Sequence, residues 1–319
     1  MNPIDTANAR AVAQAIVAAH GLRFGAATST PVSGAPRFTS DDAVYRGTKQ
    51  ACTALGFIEI DAECLAHAWR AQTERLSQFD ASAWPDAPVD FGMGPFPPTA
   101  RADAFPPCPE RLGLYAVLPD AAWVGRMARA GVPTVQLRFK SDDAEAVARE
   151  VQAAVEAVRG TGALLFINDH WQIAITAGAY GIHLGQEDLD ALSPDELQQL
   201  RASGLRLGVS THGYAEMVRA DAVSPSYIAM GAIYPTTLKK MATAPQGVAR
   251  LAAYARLLRG YPQVGIGGVD ALRLPGVLAT GGGSGAGVRA LVAAPGPPAT
   301  AAQWMTAMHA APGSPERTE

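Results

Sequence analysis

The chain has 319 residues, 48% of them apolar, and its 26 Lys and Arg against 29 Asp and Glu leave a net charge of −3. That length suits one large domain or a domain with an extension, and the charge gives no argument for nucleic acid or an anionic membrane as partner. No apolar run approaches the roughly 20 residues of a membrane span, and Met1-Asn2-Pro3-Ile4-Asp5 lacks the basic region and apolar core of a secretory signal, so a cytoplasmic protein is expected. Cys52, Cys64 and Cys108 have no metal-type spacing and read as reduced thiols.

The chain opens with helical patterning. One helix is predicted from Asp5 or Thr6 to Gly21, and a second from after Ser40 to Gly56. A third starts at Asp61, with Leu65, Trp69, Gln72, Leu76 and Phe79 near helical spacing. No catalytic constellation falls among them, so residues 1–83 read as a mostly helical N-terminal extension of unassigned role. Residues 84–109 are rich in proline, including Pro97-Pro98 and Pro106-Pro107. Proline removes backbone donors and fixes φ, which predicts a linker or extended wrapping.

From residue 110 to 312 short apolar runs alternate with amphipathic or Ala-rich helices such as Asp142–Arg159 and Pro194–Ala202. The predicted strands are Leu112–Leu118, Thr134–Phe139, Ala163–Ile167, Gly181–Leu184, Leu205–Val209, Tyr227–Ala232, Gln263–Ile266 and Gly285–Val288. This alternation argues for parallel βαβ units. Eight repeats of about 25 residues fit a closed (βα)8 TIM barrel of the α/β class better than the alternative, an open doubly wound sheet.

A barrel requires functional side chains at the C-terminal ends of its strands. On the second strand Val135, Leu137 and Phe139 share one face and Gln136, Arg138 and Lys140 the other. An amide, a guanidinium and an ammonium beside buried strands are costly without a partner, and a diphosphate would be one, a solvated edge strand being the plainer alternative. The later strand ends carry Asn168-Asp169, Gln186-Glu187-Asp188, Ser210-Thr211-His212, Thr236-Thr237 with Lys239-Lys240, Gly267-Gly268 and Val288-Arg289. Asp169 and Asp188 suit a magnesium site completed by phosphate oxygens and water, although either could instead cap a helix. Arg138, Lys140 and Lys239 supply positive charge, and Ser210 and Asn168 neutral hydrogen bonds. Gly267-Gly268 and the run from Gly281 to Gly285 are expected to present backbone N–H groups to a second phosphate. His183 reads as a packed structural residue, and His212 either as one or as an acid–base group.

From Arg111 to about Ala294 the chain resembles thiamine-phosphate synthase. The resemblance rests on Arg111-Leu112-Gly113-Leu114-Tyr115, Gln136-Leu137-Arg138-Phe139-Lys140, Phe166-Ile167-Asn168-Asp169, Gly181-Ile182-His183-Leu184-Gly185-Gln186-Glu187-Asp188, Leu207-Gly208-Val209-Ser210-Thr211-His212 and Ile266-Gly267-Gly268. Tyr234-Pro235-Thr236, Lys239 and Pro245-Gln246-Gly247 complete it. It implies a TIM barrel that joins a hydroxymethylpyrimidine diphosphate to a thiazole phosphate with Mg2+, giving thiamine phosphate and diphosphate. By position it implies that Gln136, Arg138, Lys140, Asn168, Ser210 and Lys239 hold the pyrimidine diphosphate, with Arg138, Lys140, Ser210 and Lys239 assisting its loss. Asp169 and Asp188 would bind the metal. Thr236, Gly268, Val288 and Arg289 would hold the thiazole phosphate.

Three features depart from the family pattern. Leu238 interrupts a Thr-x-Thr, Arg289 stands where many members have serine, and strand 8 is unusually rich in glycine, which weakens a strand. The implied consequence is that Arg289 replaces a hydroxyl contact with a charge-assisted one. A thiazole tautomerase on the same barrel, or a non-catalytic regulatory barrel, are the competing readings. Residues 54–66 faintly resemble the end of a pyrimidine-phosphate kinase. Oligomeric state is left open.

Overall fold

In the computed structural model residues 7–25, 37–236 and 243–310 are described. Three helices come first: α1 Ala9–Phe24, α2 Ala43–Ala54 and α3 Glu59–Leu76. The predicted start at Asp5 or Thr6 lies outside the described residues. Asn8 caps α1, its side-chain oxygen accepting from the N–H of Arg10 at 3.0 Å, and Asp42 caps α2 through Tyr45 N–H at 2.7 Å. α3 begins two residues before the predicted Asp61, so that Asp61 sits inside its first turn and is free to act elsewhere.

Beyond residue 110 come β1 Leu114–Leu118, α4 Ala121–Arg129, β2 Thr134–Leu137, α5 Ala144–Val158, β3 Leu164–Asn168 and α6 Trp171–Ala177. They are followed by β4 Gly181–Leu184, α7 Gln186–Ala191, α8 Pro194–Ala202, β5 Arg206–Thr211, α9 Tyr214–Asp221, β6 Tyr227–Met230 and α10 Gly247–Leu257. The last elements are β7 Gln263–Gly265, α11 Leu274–Leu278, β8 Gly285–Gly287, α12 Arg289–Val292 and α13 Pro297–His309. The strands pair in parallel in chain order, and β8 returns to β1 through Leu114–Gly285, Tyr115–Ala286 and Ala116–Gly287. The protein is a closed TIM barrel, which excludes the open sheet. Among the described residues no helix is long and apolar enough to cross a membrane.

Alternation along each strand sorts the core into two layers. Tyr115, Val117, Phe166, Tyr227, Ala229, Val264 and Ala286 fill the barrel interior. Leu114, Ala116, Val135, Leu137, Leu165, Ile167, Ile182 and Leu184 face the helices. The glycines of β8 have a packing reason: a Cβ on Gly285 would lie 2.9 Å from Leu274, and one on Gly287 would lie 2.7 Å from Leu291. Strand 8 gives up side chains so that α11, α12 and α13 can close over it.

The N-terminal segment docks on α9 and α10. Trp84 donates from Nε1 to the Tyr214 hydroxyl at 2.8 Å, and Phe91 stacks on the Tyr214 ring at 5.4 Å. Arg250 lies over the Phe57 ring and donates to Leu55 O at 3.0 Å. The proline-rich stretch then runs down the barrel wall in extended form with two short 3-10 turns, Pro88–Phe91 and Pro98–Ala100. Its Arg101 forms a buried ion pair with Asp221 at 2.8 Å, and Phe105 N–H donates to Ser224 O at 3.0 Å. The stretch therefore delivers the chain to the N-terminal end of β1.

Asp61 makes the least expected of these contacts. α9 is preceded at its capping position by Gly213, which has no side chain to cap it, and the buried Asp61 carboxylate of α3 accepts from Ala215 N–H at 3.0 Å instead. A Cβ on Gly213 would lie 2.0 Å from that carboxylate, so glycine is what admits it. Burial raises the Asp61 pKa to about 6, against the hydrogen bonds from α9. The folded state thus holds this proton more tightly than the unfolded chain, and stability falls as pH rises from 3.8 to about 6. Asp61→Asn keeps an acceptor and removes the titration: in denaturant melts wild type should lose ground to it across that pH interval. Asp61→Ala should be about 1 kcal/mol less stable than Asp61→Asn. Parallel pH profiles for wild type and Asp61→Asn would refute the raised pKa, and equal stability of Asp61→Ala and Asp61→Asn would refute the cap.

Candidate active site

The C-terminal ends of the strands form one rim. β2 stops at Leu137, level with the end of β1, and Arg138 N–H donates to Leu118 O at 2.8 Å. The predicted strand through Phe139 is therefore too long, because β1 offers no further partner. Gln136 points into the barrel and Arg138 follows at its mouth, whereas Lys140 lies in the loop beyond and reaches the site from there.

Lys140 Nζ sits 2.6 Å from Asp169 Oδ2. Asp169 occupies a left-handed backbone conformation at φ 65°, rare for a residue with a side chain, and its N–H donates to His183 O at 3.1 Å. That turn swings the carboxylate off the end of β3 toward β4. There Asp188, in the first turn of α7, accepts from Gly185 N–H at 3.1 Å. Asp188 does cap a helix, as the plainer expectation had it, yet its carboxyl group also lies within hydrogen-bonding reach of Asp169. Burial raises its pKa, the Asp169 charge raises it further, and Lys140 opposes both. Two carboxylates this close, both partly buried, favour a cation between them.

Inside the mouth Asn168 and Gln136 are buried, and Asn168 pairs with His183 across β3 and β4. Ser210 Oγ lies 2.7 Å from His183 Nε2, and His183 Nδ1 lies 2.6 Å from the Tyr227 hydroxyl. Burial lowers the His183 pKa to about 4, so its ring is neutral near pH 7. The charge of Arg138 reaches the same ring. Gln186 donates to Ser210 O at 2.7 Å, while its Oε1 is buried with no hydrogen-bond partner. The sequence places Gln186 on the rim without a role, and marks neither Tyr115 nor Tyr227 as a site residue. The inward parity of β1 and β6 was the available signal for the tyrosines. His183 is packed, as expected, but it also touches Ser210. His212 is tied to Glu216 through Nδ1 at 2.7 Å, at the start of α9.

The opposite arc is built by β6, β7 and β8. Thr236 is partly buried at the end of the described β6 loop; Lys239, with Thr237, Leu238 and Lys240, lies outside the described residues. Gly268 has φ 67°, and a Cβ there would meet Pro235 O at 2.7 Å, so the β7 loop can press against the β6 loop only with glycine. Val288 follows β8 as the residue that caps α12, one position past the end of the strand, which was expected to include it, and Arg289 is the exposed first residue of α12. The run from Gly281 to Gly285 does not join this arc. It leads from α11 into β8, which puts it on the opposite, N-terminal face of the barrel. There the Ser284 hydroxyl accepts from Leu112 N–H at 2.9 Å and Gly113 N–H at 3.2 Å, stitching the seam. A loop entering a strand cannot line the rim where strands end, so only Gly267-Gly268 remains of the expected phosphate glycines.

The family model for thiamine monophosphate synthase matches residues 114–291, more than half of the chain. The chain belongs to the thiamine monophosphate synthase family. It is 52% identical over 195 residues to a thiamine-phosphate synthase of Neisseria meningitidis serogroup B, covering 61% of this chain and 94% of that protein. It is 50% identical over 190 residues to one of Salmonella paratyphi B, covering 60% of this chain and 89% of that protein. The structure of a thiamine phosphate pyrophosphorylase from Pyrococcus furiosus superposes with a TM-score of 0.55 at 23% identity, over 62% of this chain and 96% of that one. The likeness to this solved structure shows the fold.

The rim predicts one shift directly. In Lys140→Met the two carboxylates lose the ammonium that opposes their repulsion, so NMR titration of the Asp188 carboxyl should give a higher pKa than in wild type. An unmoved or lower value would mean that Lys140 does not act on the pair.

Proposed function

We infer that the chain is a thiamine-phosphate synthase, joining 4-amino-2-methyl-5-(diphosphooxymethyl)pyrimidine to 4-methyl-5-(2-phosphooxyethyl)thiazole to give thiamine phosphate and diphosphate. The observation that carries the chemistry is the contact of Lys140, Asp169 and Asp188 on one rim, in a chain half identical to thiamine-phosphate synthases over its barrel. An ammonium and two crowded carboxylates make little sense as a stability device at an exposed rim. They suit a site that receives a dense anion together with its counter-cation.

Breaking the pyrimidine methylene–oxygen bond leaves charge on the departing diphosphate and a cation on the pyrimidine side. The thiazole nitrogen then forms the new carbon–nitrogen bond. The barrier lies in charge build-up on the leaving group, and preorganised donors are what lower it. Lys140 contributes a point charge from its loop, Arg138 a guanidinium at the barrel mouth, and Asn168 and Ser210 neutral hydrogen bonds. Lys239 has the same role by sequence position. Asp169 and Asp188 would hold Mg2+, which neutralises the leaving oxygens when bound. Gln136, buried beneath, orients the pyrimidine. Thr236, Gly268, Val288 and Arg289 hold the thiazole phosphate across the mouth, which supplies the orientation for attack. Arg289, exposed at the start of α12, is positioned to make a charge-assisted contact with that phosphate.

Diphosphate release from the pyrimidine substrate tests this. It should need both thiazole phosphate and Mg2+, and Lys140→Ala should lower kcat/KM by about a hundredfold. Binding of thiazole phosphate without any diphosphate release would contradict the synthase.

A further inference from the structure

Five polar side chains run across the barrel interior in one connected line. Gln136 Nε2 donates to the Tyr115 hydroxyl at 3.0 Å. The Tyr115 and Tyr227 hydroxyls are 2.7 Å apart. Tyr227 meets His183 Nδ1 at 2.6 Å, and His183 Nε2 meets Ser210 Oγ at 2.7 Å. Gln136, both tyrosines and His183 are buried. β5 separates Tyr227 from His183, and the line crosses it only because Gly208 is bare: a Cβ there would lie 2.1 Å from the Tyr227 ring.

We propose that this line sets the direction of its own hydrogens, placing the ring proton of His183 on Nε2 and leaving the Ser210 hydroxyl free to donate to a substrate oxygen. The direction follows from one end. An amide N–H can only donate, so Tyr115 accepts from Gln136 and must pass its own hydrogen on to Tyr227. Tyr227 then donates to His183 Nδ1. A neutral imidazole that accepts at Nδ1 carries its hydrogen on Nε2 and donates there to Ser210 Oγ. Both phenols keep their protons, because burial raises their pKa values. The Ser210 hydrogen is left for the mouth of the barrel, where an anionic oxygen would accept it. In the opposite direction Ser210 would spend its hydrogen on His183 and present only lone pairs to an anion. Tyr115, Tyr227 and His183 are thus positioning residues that act through Ser210.

This role rests on the synthase reading for its consequence but not for its geometry, so the two can be separated. Long-range proton–nitrogen NMR correlation of the histidine rings in the resting full-length protein reads the His183 tautomer without turnover, with His183→Gln assigning the signal. Wild type should carry the hydrogen on Nε2. Gln136→Glu, read at a pH above the titration of the new carboxyl, replaces the donor with a carboxylate that can only accept, so every hydrogen should reverse and the ring proton should move to Nδ1. Tyr227→Phe should lower kcat about tenfold, the loss of one hydrogen bond, and should have no further effect in a Ser210→Ala background. A wild-type hydrogen on Nδ1, an unchanged tautomer in Gln136→Glu, or a full Tyr227→Phe effect without Ser210 would each overturn the proposal. The expected tautomers in a protein with no synthase activity would instead overturn the functional reading.

Discussion

The pairing of β8 with β1 turns eight strand ends into a ring, and every polar contact at the rim presupposes it. β8 is only Gly285–Gly287, and β7 meets it at the single pair Gly265–Gly285. The seam is held by other means. Ser284 accepts two backbone N–H groups at the entrance to β1, and bare glycines let α11, α12 and α13 pack close against the strand. Once closed, the ladder takes the inward side chains below the mouth out of solvent, so polar ones there must satisfy each other. That is why Gln136, Tyr115, Tyr227, His183 and Ser210 form a line rather than five separate hydrogen bonds.

The same closure crowds charge at the mouth. Asp169 is turned toward β4 by a left-handed backbone, and Asp188 is held by the first turn of α7. Asp188 cannot withdraw without losing its backbone hydrogen bond from Gly185, and Asp169 cannot without losing its ion pair with Lys140. The repulsion is therefore built in, and Lys140, on a mobile stem from a loop, balances part of it. A diphosphate with its metal ion would complete the balance, and the departing charge of the proposed reaction would develop at that point.

Much of this was legible in the residues. Polar groups recur after most of the apolar runs, so the barrel and the rim positions of Arg138, Asp169, Asp188 and Ser210 follow from pattern alone. Other features depend on register. Tyr115 and Tyr227 look like ordinary core residues until the ladder aligns Gly208 with Tyr227 on one side and His183 on the other. Lys140 was assigned to the strand face with Gln136, yet the strand had already ended. The glycines from 281 to 285 resemble a phosphate loop by composition, but a helix-to-strand connection puts them at the wrong end. Asp61 reads as the start of its own helix, because nothing local shows that it caps a helix 154 residues away.

That cap ties the N-terminal helices to the element that follows Ser210 and His212, so the extension braces the β5 side of the rim while the barrel makes the rest of the site. The central claim is that the rim is a diphosphate seat completed by a divalent cation. Calorimetric titration of the full-length protein with the pyrimidine diphosphate, in Mg2+ and again after chelation, tests it most directly. The account predicts binding that requires the metal and is lost in Asp169→Asn. Equal binding with and without metal would contradict it.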